Sequence, residues 1–204
     1  MRFWLFICRV SAWLYLRLGL YGAWSRTYRA MFERSYDAMQ LYTFSNLQEV
    51  GAYLNAKAHL WRADSWKQLF DAVSRPERTQ AFFDGREVPH DGLDCDEYAI
   101  WTVNSIHRSL MQGKMAANEH VSAPRMLTVT WLEGWKPQGH NVCLVKTAAK
   151  WAYLDYGPVR GHTNAPEGVV QAVLTQYGAA NAVVIGWAEH DHNMKHLATH
   201  WGLT

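Results

Sequence analysis

The hydrophobic pattern of this 204-residue chain changes from a helical period to a strand period. Up to about residue 113, apolar side chains recur every three or four residues, which predicts amphipathic helices. From residue 126 onward, short apolar runs predict strands, with one further helix between them. Helices that precede a mostly antiparallel sheet predict an α+β fold. The predicted helices begin near Ser45, Asp64, Asp94 and Pro166, and the predicted strands span residues 126–131, 142–146, 151–155 and 182–188.

Local signals predict where several of these elements begin and end. Ser45 and Gln48 have the spacing of a Ser-x-x-Gln capping box at a helix start. Pro76 is expected to end the second helix, because the residue before a proline disfavours helical geometry. Gly178 is expected to end the helix that Pro166 opens. The segment 133–139 contains two glycines and a proline, and it is predicted to be a loop.

The first two dozen residues have a different character. Their apolar runs, residues 3–7 and 13–16, are interrupted by Arg2, Arg9 and Arg17, which recur at about two helical turns. A membrane-spanning helix needs about 20 mostly uncharged residues, and a signal peptide needs an unbroken apolar region, so neither is predicted. Three interpretations of residues 1–24 stay open: packing on this domain or on a protein partner, binding to a membrane surface, or a processed segment.

Composition excludes several classes of protein. About half of the residues are hydrophobic and the net charge is only +2, which does not predict a nucleic-acid partner. Three widely spaced cysteines make neither a disulfide framework nor a zinc motif, and no cofactor or metal is expected. The length suits one domain with appended elements. Location stays open between cytoplasmic, membrane-peripheral and virion-associated.

Cys95 is the strongest candidate for chemistry. It follows Asp94, which is a good helix cap, and Glu97 stands where a capping box requires an acidic residue. Cys95 would therefore lie in the first turn of a helix, where free N–H groups and the dipole favour a thiolate. A thiol nucleophile needs a base, and the base needs an orienting group.

A hairpin in the second half supplies both partners. If residues 142–146 and 151–155 pair so that Lys146 faces Trp151, then Val142 faces Asp155. Side chains alternate along a strand, so His140 shares a face with Val142 and lies diagonally from Asp155. The pattern predicts Cys95 as nucleophile, His140 as base and Asp155 as the group that orients the imidazole.

The segments 94–99, 139–142 and 153–157 together resemble the transglutaminase-like cysteine peptidase superfamily, above all its bacterial and phage-encoded members. The resemblance implies a papain-like fold whose nucleophile helix packs on an antiparallel sheet, and the triad Cys95, His140 and Asp155. It divides the chain into an N-terminal amphipathic helical segment (1–43), the peptidase-like domain (44–190) and a His-rich tail (191–204). Leu93 stands where the family often has glycine.

The expected function is thiol-dependent acyl transfer, most simply cleavage of a peptide or isopeptide bond in a peptide or protein substrate, with transglutaminase activity as a variant. The alternative is an idle structural or adaptor protein that keeps the fold, for example in a virion or envelope assembly. Among further candidates, Trp61, Trp66 and Gln80 are considered for the oxyanion hole, and His90 is a weaker alternative base. A helix would align His192, His196 and His200 for a metal, but a solvated tail is the simpler interpretation.

Overall fold

The computed structural model describes residues 2–17, 20–33, 40–62, 73–88, 93–116, 120–148 and 150–202. Within these ranges the chain has the predicted α+β class. The helices are α1 (Arg2–Ala12), α2 (Leu20–Phe32), α3 (Leu47–Lys57), α4 (Pro76–Phe83), α5 (Cys95–Met111) and α6 (Pro166–Gln176). The strands are β1 (Ser122–Glu133), β2 (Lys136–Thr147), β3 (Lys150–Leu154), β4 (Arg160–Thr163), β5 (Val183–His190) and β6 (His196–Trp201).

The six strands form one sheet in the order β4-β3-β2-β1-β5-β6, and all neighbours are antiparallel. The predicted register of the β2–β3 hairpin is confirmed, since Lys146 pairs with Trp151. The pairing of β2 with β3 ends at Cys143 and Leu154. Residues 136–142 of β2 therefore pair with β1 and leave an open edge in the described sheet, and Asp155 comes directly after β3 at that edge.

Helices cover both faces of the sheet, because its strands carry apolar side chains on both faces. On β2, Cys143 belongs to the core under α5, whereas Leu144 belongs to the core under α6. Trp101 of α5 is completely buried, and Tyr53 stacks on it with a ring separation of 5.0 Å. This sandwich holds β2 between α5 and α6, with the open edge beside the start of α5.

The N-terminal helix packs on this domain, which agrees with one of the three interpretations. Leu5, Cys8 and Ala12 of α1 contact Leu132 and Ile185 on the sheet. A π-helical turn (Trp13–Arg17) follows α1. Among the described helices, none combines the length and the apolar character needed to cross a membrane.

Helix α2 is attached to the same domain near the end of β5. The guanidinium group of Arg26 donates a hydrogen bond of 2.7 Å to the carbonyl oxygen of Met194, and Arg29 donates one of 2.8 Å to that of Val73. A Cβ atom on Gly22 would clash with the Met194 carbonyl oxygen, so glycine is required for this close approach. Tyr21, one residue earlier, is buried. Residues 20–33 are therefore part of the domain's packing.

Several local predictions are corrected by the structure. The cap of α3 is Asn46, which accepts a 2.8 Å hydrogen bond from the Glu49 N–H, so the Ser45–Gln48 capping box was wrong. Pro76 opens α4, a helix that the sequence pattern missed, because a proline is as well suited to a helix start as to a stop. The helix predicted near Asp64 lies outside the described residues.

Two segments predicted to be irregular are strands. Residues 136–139, predicted as part of a loop, extend β2, because the Gly134–Trp135 turn is tight enough to pair Glu133 with Lys136. Residues 196–201, predicted as part of a His-rich tail, form β6 along β5, with Trp187 opposite His200. This part of the predicted tail therefore belongs to the sheet, as its edge strand.

Candidate active site

Cys95 is the first residue of α5, and the capping of this helix is as predicted. The side chain of Asp94 accepts a hydrogen bond of 3.0 Å from the Asp96 N–H. The side chain of Glu97 accepts one of 3.3 Å from the Asp94 N–H, which completes the capping box. Cys95 is partly exposed, whereas Cys8 and Cys143 are buried. Of the three cysteine residues, Cys95 is therefore the one that is not buried.

The environment of the Cys95 thiol favours its neutral form. Its Sγ atom lies 3.5 Å from Oδ1 of Asp96 and 3.8 Å from Nδ2 of Asn141. Burial raises the pKa of this thiol well above its ordinary value, the carboxylates of Asp96 and Asp94 raise it further, and a hydrogen bond from the Asn141 main chain lowers it. These effects outweigh the helix N-terminus that was expected to favour a thiolate. The Cys95 thiol is therefore protonated at neutral pH.

Replacing Asp96 with asparagine is expected to make Cys95 more reactive at neutral pH. The Asp96 carboxylate raises the pKa of the thiol, so its loss lowers that pKa, and each unit gives about a tenfold larger thiolate fraction at pH 7. Iodoacetamide alkylation of Cys95, followed by mass spectrometry, measures the change. Asp94→Asn is the matched control, since asparagine keeps the cap and Asp94 contributes less to the pKa. An unchanged alkylation rate in Asp96→Asn would contradict this account.

His140 and Asp155 form a buried hydrogen-bonded pair at the open edge of β2. Nε2 of His140 lies 3.0 Å from Oδ1 of Asp155. The other carboxylate oxygen, Oδ2, accepts a 2.7 Å hydrogen bond from Nε2 of Gln176 and a 2.8 Å hydrogen bond from the hydroxyl of Tyr177. A carboxylate can only accept, so Nε2 of the imidazole carries its proton and Nδ1 is the basic nitrogen of the neutral ring.

Two tyrosines hold the imidazole in place. The ring of Tyr177 lies against that of His140 with centroids 4.2 Å apart, and the ring of Tyr156 lies 5.8 Å away. Tyr156 also packs edge-on against Tyr98 of α5 at 4.8 Å. Burial raises the pKa of Tyr156 and of Tyr177, and the ionised forms of both interact with Cys95. The tyrosines therefore bridge the His140–Asp155 pair and the start of α5.

Asn141 links Cys95 at the start of α5 to the open edge of β2, where His140 also lies. Asn141 on β2 contacts both Cys95 and Asp96, and His140 is its neighbour in the chain. Since side chains alternate, Asn141 faces α5 and His140 faces the α6 side with Tyr177. Within the described residues, the thiol makes hydrogen bonds to Asp96 and Asn141 and none to the imidazole. The structure thus brings His140 and Asp155 into contact, and it places Cys95 against Asn141, the chain neighbour of His140, without a direct bond to the imidazole.

A buried polar network connects this site with the N-terminal helices. The hydroxyl of Tyr21 on α2 donates to one oxygen of Asp96, and Nδ2 of Asn141 donates to the other. The side-chain amide oxygen Oδ1 of Asn141 accepts in turn from the Thr128 hydroxyl on β1. Asp96, which follows the nucleophile directly, is therefore held by groups from α2 and β2.

Of the residues considered for an oxyanion hole, the structure describes Gln80 and Trp61. Gln80 is buried, and its amide is engaged with the main chain of Tyr42 at 2.7 Å and of Gln40 at 2.7 Å. Trp61 is exposed, although the next residue, Arg62, pairs with Leu93 just before the site. Trp66 and His90 lie outside the described residues.

The histidines near the C-terminus do not form the helical metal site that was considered. His196 and His200 lie on β6, and the ring of His192 stacks on that of His107 at 3.9 Å. In the described part of the chain, the one group of ligand atoms close enough for a metal is Asp94, Cys95 and Asp96. Their carboxylates already cap α5 and bind Tyr21 and Asn141.

Four residues of the site were missed by the sequence analysis: Tyr21, Asn141, Gln176 and Tyr177. Their positions in the sequence were the signal that could have found three of them. Asn141 directly follows His140, and Gln176 and Tyr177 stand at the end of the helix after the predicted hairpin. No protein-family model matches this chain, and no curated protein is significantly similar to it. The function is therefore inferred from the residues and their contacts.

Proposed function

We propose that this chain is a transglutaminase-like cysteine hydrolase with a papain-like fold, which cleaves an amide bond of a peptide or protein through Cys95, His140 and Asp155. The observation that carries the proposal is the buried 3.0 Å contact between His140 and Asp155, together with the contact of the next β2 residue, Asn141, with Cys95 at the capped start of α5. A base with a fixed tautomer next to a nucleophile is the arrangement that acyl transfer requires.

The raised pKa of the thiol decides how the first step proceeds. Because Cys95 is protonated at rest, Nδ1 of His140 takes the S–H proton as sulfur attacks the carbonyl carbon. Asp155 accepts from Nε2 and stabilises the imidazolium that forms. The S–H group turns from Asp96 toward the imidazole when substrate enters, since catalytic hydrogen bonds tighten in the substrate complex.

The start of α5 offers a donor for the oxyanion. The side chain of Asp94 accepts from the N–H groups of Asp96 and Glu97, so these two donors are engaged in the cap. The remaining donor of this first turn is the N–H of Cys95, at the positive end of the helix dipole. It takes the position that the N–H of the nucleophile holds in other acyl-transfer sites.

The proposed reaction proceeds in two balanced steps. The carbon–sulfur bond forms and the carbon–nitrogen bond breaks, and the leaving amine receives the proton from His140. Water then attacks the thioester, His140 removes its proton, and the thiol is regenerated as the acid product leaves. An amine in place of water would make the reaction a transamidation. Hydrolysis is the simpler proposal, since it requires no acceptor-binding groove.

A thiol-directed peptide electrophile tests the proposal. We expect a peptidyl vinyl sulfone to label Cys95 in the full chain, with no label on Cys8 or Cys143, which are buried. Cys95→Ser is the control and should abolish labelling. Because the thiol is protonated at rest, the rate of Cys95 alkylation by a simple reagent should still increase with pH above pH 9. An ordinary thiol would already be mostly ionised there. Labelling of Cys8 or Cys143 with Cys95 untouched would contradict the proposal.

One observation favours the adaptor alternative. The thiol is hydrogen-bonded to Asp96 and Asn141 instead of His140, which is the arrangement expected of an idle site. The two functions differ in one measurable property, namely the dependence of Cys95 acylation on His140. An adaptor would show the same slow reaction of Cys95 with and without the imidazole.

A further inference from the structure

Helix α1 is apolar on the side that faces away from the domain as well as on the side that packs against it. The inner side, with Leu5, Cys8 and Ala12, contacts the sheet. At helical spacing, positions 3, 7, 10 and 14 fall on the opposite side. Seven large apolar residues of α1 and the following turn are exposed, and we call six of them, all except Trp4, the outer face: Phe3, Phe6, Ile7, Val10, Trp13 and Leu14.

The exposure of this outer face is high. Phe3 is 75% exposed and Phe6 is 62% exposed, and the other four residues are at least 38% exposed. Neighbouring large apolar side chains on one surface mark a contact with a membrane or another protein, whereas single exposed ones need no explanation. The surface continues to the β1–β2 turn, where Trp135 is 61% exposed and its carbonyl oxygen accepts a 2.8 Å hydrogen bond from the Trp4 indole.

Positive charge accompanies this apolar surface. Residues 2–34 contain six arginines and one acidic residue, Glu33. Two of these arginines, Arg26 and Arg29, are hydrogen-bonded to main-chain carbonyl groups of the domain, and Arg29 is buried. Arg9 is exposed on α1 and borders the outer face in the helical register, and Lys136 is exposed next to Trp135. This charge complements an anionic surface.

The chemistry of the outer face favours lipid over protein. Apart from the Trp13 indole N–H, its side chains carry no hydrogen-bonding group, whereas protein interfaces contain about one hydrogen bond per 100–200 Å². A second copy of this chain would bring its own arginines against those of the first, which costs free energy. Phenylalanine, tryptophan and aliphatic residues beside arginine are the composition of helices that lie in a bilayer interface.

We propose that the outer face binds the surface of an anionic bilayer. The inner side of α1 stays packed on the sheet, so the helix lies along the bilayer surface. Its outer face enters the boundary between headgroups and acyl chains, and Arg9 lies near the phosphates. The Trp135 turn inserts beside it. This surface function does not depend on the chemistry of Cys95, and Cys95→Ser should bind vesicles like the natural chain.

Vesicle flotation of the full chain tests the proposal. We expect it to float with vesicles of phosphatidylcholine and about 30% phosphatidylserine, and about tenfold less with phosphatidylcholine alone. The triple variant Phe3→Ser, Phe6→Ser and Val10→Ser should lose binding at least about tenfold. The matched control is Val88→Ser, Met111→Ser and Leu197→Ser, which removes three equally exposed apolar residues from other surfaces and should bind normally.

Single substitutions keep the test independent of folding. Arg9→Gln changes one exposed side chain, and it should weaken anionic-vesicle binding about fivefold. Circular dichroism checks that each variant is folded. The proposal is overturned if the natural chain does not float, if the triple variant or Arg9→Gln floats as well as the natural chain, or if sedimentation shows a dimer that the triple variant dissociates.

Discussion

Replacing His140 with alanine is expected to slow acylation of Cys95 by about 10²–10⁴-fold at pH 7, which is the usual contribution of general-base catalysis. The reason is the raised pKa of the thiol, since a protonated nucleophile without its base has no acceptor for its proton. The burst of p-nitrophenol from p-nitrophenyl acetate, measured by stopped flow on the full chain, reports this step. In an adaptor protein, the rate of Cys95 acylation would be the same with and without His140.

Two controls distinguish the loss of the base from a structural disturbance caused by the substitution. Tyr177→Phe keeps the ring that packs on His140 at 4.2 Å and removes the hydroxyl that binds Asp155, so we expect a loss of about tenfold or less. At pH above the thiol pKa no base is needed, so iodoacetamide should alkylate His140→Ala and the natural chain at equal rates. Equal acylation of the two proteins at pH 7 would eliminate His140 as the base.

Replacing His190 with leucine is expected to remove most of the acid sensitivity of folding. His190 is completely buried, and both of its ring nitrogens have no hydrogen-bond partner among the described residues. Its pKa is lowered to about 4, chiefly by burial and also by His196 and Arg26, with Asp191 acting in the opposite direction. Tyr21 packs edge-on against the ring at 5.7 Å. The imidazole is therefore neutral in the folded protein.

The sign of this effect follows from proton binding. The unfolded chain protonates a histidine near pH 6.5, whereas the folded chain does so only near pH 4. Between these values the unfolded state binds more protons, so the free energy of unfolding falls as the pH falls, by about 3 kcal/mol in total. The natural chain should lose this stability from about pH 6.5 down to about pH 4, and His190→Leu should not.

Urea unfolding at several pH values between 7 and 4 measures the difference. His162→Leu is the control, because the side chain of His162 is exposed and solvated in both states. Leucine also removes two unsatisfied nitrogens, so the free energy of unfolding of His190→Leu should not be lower at pH 7. A pH dependence of His190→Leu equal to that of the natural chain would show that His190 is not responsible.

Much of the fold follows from local sequence signals. The capping box at Asp94, the register of Lys146 with Trp151 and the helix that Pro166 opens were predicted and are confirmed. These features depend on residues within a few positions of one another or on strict alternation. Strand β6 was missed, because its residues carry no clear apolar alternation and pair with a strand that is already formed.

Local signals along the chain were enough to predict that Cys95 begins a helix and that His140 and Asp155 share one face of a hairpin. The protonation state of the Cys95 thiol, by contrast, depends on tertiary contacts. Asp96 and Asn141 reach the sulfur because α5 packs against β2, and that contact sets the pKa through burial and charge. Capping and strand alternation are local, whereas burial and the distance between charges depend on elements far apart in the chain.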